Sequence, residues 1–140
     1  MTNRNLAFIV KDQDPLIMAG SETVQRACQQ MWERRVGAVL VTGEKHRLVG
    51  IFTGRDAVRS LAECKDSAQT TLAVTMTPNP DTIAPERTAI DALRAMSDGG
   101  YRHLPIVADG KILGIVSRGD FKGLELDRLE DETHLWERIG

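Results

Sequence analysis

The residues best suited to chemistry in this chain are a hydroxyl and a carboxylate three positions apart, and the pair occurs twice. Gly50–Asp56 reads GIFTGRD and Gly114–Asp120 reads GIVSRGD. Each places a hydroxyl, Thr53 or Ser117, where an apolar run stops, with Arg55 or Arg118 next and Asp56 or Asp120 closing the motif. If a strand ends there and a helix begins, the first helical amides lack an intrahelical acceptor and the helix dipole makes the region positive. A phosphate could accept from those amides and from the hydroxyl, with the arginine adding charge. A carboxylate, with two acceptor oxygens, suits the adjacent hydroxyls of a ribose. The same spacing is also that of a capping box, hydroxyl at the N-cap and carboxylate at N3. Taken alone the residues leave both roles open, and the roles are compatible, because capping orients the atoms that a ligand would meet.

Other reactive side chains form no such set. His46 lies in a charged turn and His134 near the C-terminal end, while Cys28 and Cys64 are far apart and have no base partner in sequence. No metal-ligand spacing and no nucleophile–base pair results, so neither a metal nor a catalytic residue is expected, and the chain is read as not an enzyme. The net charge of −2, with acids and bases interspersed over 140 residues, offers no broad basic face for nucleic acid. The early apolar run Leu6–Val10 is too short for a signal-peptide core or a membrane span. Unpaired thiols and this composition are those of a cytoplasmic protein.

The elements that must position the two motifs are themselves duplicated. Sliding the chain by 65 residues aligns Pro15 with Pro80, Ala19 with Ala84, Thr23 with Thr88, Ala27 with Ala92 and Met31 with Met96. After a turn one residue shorter in the second copy the offset is 64, and Gly50, Ile51, Thr53 and Asp56 meet Gly114, Ile115, Ser117 and Asp120. Matches in one order at nearly one offset mark a duplication. In each copy a short apolar strand (Leu16–Met18 in the first) precedes a helix. That helix opens at Thr23 or Thr88 and repeats apolar residues every three to four positions: Val24, Ala27, Cys28, Met31, and Ala89, Ala92, Leu93, Met96. Gly99 and Gly100 close the second. Two strands follow, Val36–Thr42 and Leu48–Thr53, then His103–Val107 and Lys111–Ser117 around an Asp109-Gly110 hairpin turn. Their nearly unbroken apolar character predicts burial on both faces. Helices are expected from Arg55 to about Glu63 and from Gly119 to about Leu126.

The unit is therefore β-α-β-β-α, and the fold class is α+β, two repeats packed sheet to sheet as a pseudo-two-fold pair. Residues 1–62 hold an N-terminal segment and the first repeat, 63–73 a polar linker, 74–126 the second repeat and 127–140 a tail. The first residues, to about position 14, are expected to pack beside the second copy. In the tail, Leu135, Trp136 and Ile139 could share one helical face, docked or frayed.

This ordered set resembles the CBS domain, named after cystathionine β-synthase, in its tandem arrangement, the Bateman module. The stretches that carry the resemblance are SETVQRACQQM, GAVLV and LVGIFTGRD in the first copy, and MTPNPDTIAPERTAIDALRAM, YRHLPIV and ILGIVSRGD in the second. The resemblance implies clefts between the repeats that accept adenosine-containing ligands: AMP, ADP, ATP, S-adenosylmethionine or NAD-type molecules. No catalytic cofactor is implied. It further implies homodimerisation, allosteric control of a partner enzyme or transporter, and a role in sensing energy state. Carried onto this chain, it points to Thr53, Arg55, Asp56, Ser117, Arg118 and Asp120 as ribose and phosphate contacts, and to the backbone around Met18, Ala19, Ile83 and Ala84 as the adenine neighbour. The copies differ at the start of the middle strand, where Arg102, His103 and Pro105 stand against Gly37, Ala38 and Leu40. Arg102 and His103 could meet a polyphosphate, whereas Ala38 leaves room without charge. The expectation is a free-standing regulatory module, with a slight preference for the second cleft. The alternative is a ligand-free interaction module in which both motifs are only helix caps.

Overall fold

The computed structural model of the chain describes residues 4–121. Most of the helix expected from Gly119 to Leu126 and the whole tail at 127–140 lie outside them. The described chain is a mixed α+β structure with a four-stranded and a two-stranded sheet. It divides into two compact units that do not coincide with the two repeats. One comprises Asp14–Asp81 with the hairpin tip Asp109–Ile112; the other comprises residues 4–13, Thr82–Ala108 and 113–121.

In the first of these units, β1 (Ile17–Ala19) runs parallel to β2 (Ala38–Thr42), and β2 pairs antiparallel with β3 (Leu48–Thr53). Between β1 and β2 lies α2 (Val24–Arg34), whose N-cap Thr23 accepts from the Arg26 amide. Its buried positions, Val24, Ala27 and Met31, are those of the apolar stripe, and they close on Leu16, Met18, Val39, Val41 and Phe52. Burial of side chains of this size contributes roughly 1.5–3 kcal/mol each, which is why the periodic face decides where the helix lies. After β3 the chain turns into α3 (Gly54–Ala62).

The other unit repeats this plan. An isolated parallel bridge, Ile83 with Ile106, stands where Met18 pairs with Val41 one repeat earlier. The helix α5 (Ala89–Gly99) begins at a Thr88 capping box and buries Ala89, Ile90, Ala92, Leu93 and Met96. The hairpin of β5 (His103–Ala108) and β6 (Lys111–Ser117) follows. Burial on both faces holds for β2, which is buried at all five residues, but not for β6, where Lys111 and Leu113 are exposed. A continuous apolar run records low polarity, not the number of layers that cover it.

Each unit is completed by a segment that precedes the other repeat in the chain. The four-residue helix α4 (Leu72–Thr75) and strand β4 (Thr77–Pro78) complete the first: Leu72 is fully buried, and Gly50 and Ile51 pair with Pro78 and Thr77. The lead-in helix α1 (Leu6–Ile9) completes the other, with Leu6 and Val10 in the core beside Ile90 and Leu93. Here a side chain replaces the strand. The Gln13 carboxamide donates to the Ile115 carbonyl at 2.8 Å and accepts from the Ile115 amide at 2.6 Å. These segments also explain the repeated glycine. A Cβ on Gly50 would collide with the Met76 thioether, and one on Gly114 would lie 2.8 Å from Val10 Cβ.

The helix C-caps preserve a difference between the copies. Arg35 (φ 55°) and Gly100 (φ 73°) occupy the same left-handed position after α2 and α5. A side chain in that region costs about 1–2 kcal/mol relative to the right-handed one, and glycine avoids most of it. Arg35→Gly should therefore raise the melting temperature by about 1–4 °C after the extra unfolded-state entropy of glycine is subtracted. A scanning-calorimetry comparison with the unaltered chain checks this, and a lower melting temperature would contradict the strain at Arg35.

Candidate functional site

The two motifs occupy equivalent corners at the end of the last long strand of each copy. In the first, Ala38 at the start of β2 pairs with Thr53 at the end of β3, and the Gly54 amide donates to the Gly37 carbonyl at 3.2 Å. In the second, the Arg118 amide donates to the Arg102 carbonyl at 3.1 Å, the same bond one repeat later. Both corners form the full capping box. The Thr53 amide donates to Asp56 Oδ2 at 2.9 Å and the Asp56 amide returns to Thr53 Oγ1 at 3.4 Å. The Ser117 amide donates to Asp120 Oδ2 at 2.7 Å, and Arg118–Asp120 forms a single 3-10 turn. The amides of Gly54 and Asp56 are thus already engaged, which narrows what α3 can offer a phosphate.

The carboxylates differ. Asp56 is 6% exposed; its Oδ1 accepts from the Thr77 hydroxyl at 3.3 Å and lies 3.5 Å from the Arg59 guanidinium. Asp120 is exposed, and its Oδ1 has no hydrogen bond or ion pair among the described residues. Around the second corner stand exposed Arg102, half-buried Arg118 and half-buried His103. Burial first, and the Arg102 charge second, hold His103 below its ordinary value of 6.5, while Asp120 opposes them. A third box of the same form, Thr88 with Asp91, opens α5, with Arg87 donating to Asp91 at 3.1 Å. The Thr88 amide, as the main cause, holds the Asp91 carboxyl below its usual range. A hydroxyl–carboxylate box is therefore local helix chemistry first, and only its surroundings can make it a binding corner.

The remaining predicted residues are spread along the sheet. Met18 is in the core and Ala19 is exposed opposite Thr42, so within one unit they lie at the far end of β2 from Ala38 and Thr53, about 13 Å along the strand. Ile83 packs on the other core, Ala84 is exposed, and the carbonyl of buried Pro105 accepts from the Ile83 amide. Arg55 is exposed on the first turn of α3. Sequence reasoning missed Arg59 and Thr77. Arg59 was visible as an i,i+3 partner of Asp56 on α3. Thr77 reaches Asp56 only through the pairing of β4 with β3, which no local pattern announces.

Two like α+β units, each with the same strand–turn corner, define a class of tandem α+β repeat, and the comparisons identify which. The CBS domain family matches residues 9–63 and again 72–126, and the chain belongs to that family as a Bateman module. It is 34% identical over 102 residues to the CBS domain-containing protein CBSCBSPB1 of Arabidopsis thaliana, covering 72% of this chain. The chain spans only 19% of that relative's length. A protein with CBS domains from Burkholderia ambifaria MC40-6 is 27% identical with a TM-score of 0.75, over 83% of this chain and 89% of that one. The CBS domain protein PAE2072 of Pyrobaculum aerophilum, solved with AMP, matches in fold (TM-score 0.81, 20% identity, 91% and 98% of the two chains). So does the CBS pair of MJ0100, solved with 5′-methylthioadenosine and S-adenosylmethionine (TM-score 0.76, 22% identity, 92% and 97%). Among the described residues no helix is long and apolar enough to cross a membrane, and no group of three metal-ligating side chains occurs.

Two outcomes follow from the corner geometry. Asp56→Ala should cost about 1–2 kcal/mol, since it removes a buried cap and strands Thr77 and Arg59, and Asp120→Ala about 0.5–1 kcal/mol; urea titration of both variants ranks them. Because folding disfavours protonated His103, the unfolded chain binds that proton more readily, so stability falls as pH drops through about 6.5. His103→Gln should flatten the decline in melting temperature between about pH 7.5 and 5.5. An unchanged slope would show that His103 contributes nothing to it.

Proposed function

We propose that the chain is a non-catalytic regulatory module that binds an adenosine-containing ligand (AMP, ADP, ATP, S-adenosylmethionine or an NAD-type molecule) at one or both of its repeated corners and signals to a separate enzyme or transporter. The observation that carries this reading is the corner built twice by one backbone geometry. Thr53 or Ser117 and Asp56 or Asp120 are held by capping boxes, and the turn is tied to Gly37 or Arg102. Its atoms suit a ribose diol and a phosphate, and two proteins of like fold were solved with adenosine derivatives. The ligand acts by population shift, moving the chain between conformations by the difference of its affinities for them. Cytoplasmic residence, a part in energy sensing and assembly as a homodimer belong to the same proposal. Exposed Val58 and Leu61 on α3 support the last of these.

The second reading is a ligand-free interaction module. It is favoured by the Thr88–Asp91 box, which has the same form at a place where no ligand is proposed. Thermal melting against AMP, ADP, ATP and S-adenosylmethionine separates the two. A ligand at a hundredfold excess over its Kd adds about 2.7 kcal/mol and raises the melting temperature by several degrees. The shift should be lost or reduced in Asp56→Ala, in Asp120→Ala or in both, and the variant that loses it identifies the occupied corner. Absence of any shift across the panel would overturn the sensor reading in favour of the interaction module.

A further inference from the structure

The repeat makes the corners equivalent in sequence, yet their carboxylates are in different chemical states of engagement. A carboxylate accepts a diol through oxygens that are free of other donors and open to solvent. At Asp56 neither condition holds. Oδ2 takes the Thr53 amide at 2.9 Å and its hydroxyl at 3.2 Å, while Oδ1 takes the Thr77 hydroxyl at 3.3 Å with the Arg59 guanidinium at 3.5 Å. Both partners are exposed side chains, but each is tied to a second element. Thr77 is held by the pairing of β4 with Ile51 on β3, and Arg59 also donates to the Thr75 carbonyl at 2.7 Å, on a residue that is itself 6% exposed.

Among the described residues the second corner has neither device, and the sequence differs at both places. At the 64-residue offset the counterpart of Arg59 is Gly123, which has no side chain to offer. The edge that Thr77 occupies is taken by Gln13, and its carboxamide is consumed by the amide and carbonyl of Ile115. Asp120 Oδ2 takes the Ser117 amide at 2.7 Å and its hydroxyl at 3.2 Å, as at the first corner, but Oδ1 is unengaged among the described residues, on an exposed side chain, with Arg102 and His103 near by.

We infer that Arg59 and Thr77 close the first corner by occupying the Asp56 carboxylate, so that a ribose-bearing ligand is held at the Asp120 corner alone, one per chain. This rests on the sensor reading above and adds to it the stoichiometry and the two residues that set it. Asp56 is then a structural carboxylate and Asp120 a binding one, although both stand in the same motif.

Titration calorimetry with AMP, and in parallel with S-adenosylmethionine, tests it on the full chain. The unaltered protein should bind one ligand per chain. Asp120→Asn should weaken binding more than tenfold. Asp56→Asn should lower the melting temperature yet leave Kd within about twofold, as expected for a site that it does not touch. The double variant Arg59→Gly/Thr77→Ala, which keeps the Asp56 carboxylate and removes its partners, should bind a second equivalent, and adding Asp56→Asn should abolish that second site. Two ligands per chain in the unaltered protein, loss of binding with Asp56→Asn but not Asp120→Asn, or a double variant that stays at one ligand would each overturn the inference while leaving the sensor reading intact. No binding of either ligand by the unaltered protein would instead remove the sensor reading and this inference with it.

Discussion

Everything in this fold depends on the close approach of a chain segment to a glycine in the last long strand of each repeat. At Gly50 the neighbour is Met76, and at Gly114 it is Val10 with Gln13. Any side chain at these glycines would fill the space that the segment needs, and the segments carry Leu6 and Leu72, which are fully buried. A repeat of some 60 residues has too little apolar surface to close its own core. The lead-in before one repeat therefore completes the other, and the chain is interlaced: neither compact unit corresponds to a contiguous stretch of sequence.

The same constraint sets the character of the corners. The strand that runs past the glycine ends at Thr53 or Ser117, and the box that caps the following turn is formed in both copies. What lies beside the box is decided by the completing segment. In one unit that segment pairs through its backbone as β4 and thereby aims the Thr77 hydroxyl at Asp56. In the other it pairs through the Gln13 side chain, which satisfies Ile115 and offers nothing to Asp120. A difference in how two strand edges are satisfied becomes a difference in which carboxylate is open to solvent.

Membership of the CBS domain family fits a molecule in which one motif builds the same corner twice. The charge contrast follows the same division. Arg102 and His103 stand at the second corner, whereas the first has Gly37 and Ala38 at those places. Burial and the Arg102 charge disfavour a charge on His103 in the folded chain, and Asp120 opposes them.

Much of this was legible in the residues. The 65- and 64-residue offsets, the stripe Val24–Ala27–Met31, the caps at Thr23, Thr53 and Thr88 and the hairpin at Asp109-Gly110 are local or periodic signals, and the structure contains each of them. Local signals survive because backbone hydrogen bonding and side-chain period act over a few residues. The sequence by itself determined the duplication, the order of the long helices and strands and the paired hydroxyl–carboxylate corners, but not the short elements α1, α4 and β4. Tertiary structure alone decided that β6 shows Lys111 and Leu113 to solvent, that Met18 is core, and that Asp56 is enclosed by Thr77 and Arg59 while Asp120 is exposed among the described residues. The physical reason is distance along the chain. Thr77 lies 21 residues from Asp56 and Gln13 lies 102 from Ile115, and contacts over such separations are set by which strand edges meet, not by any neighbouring residue type.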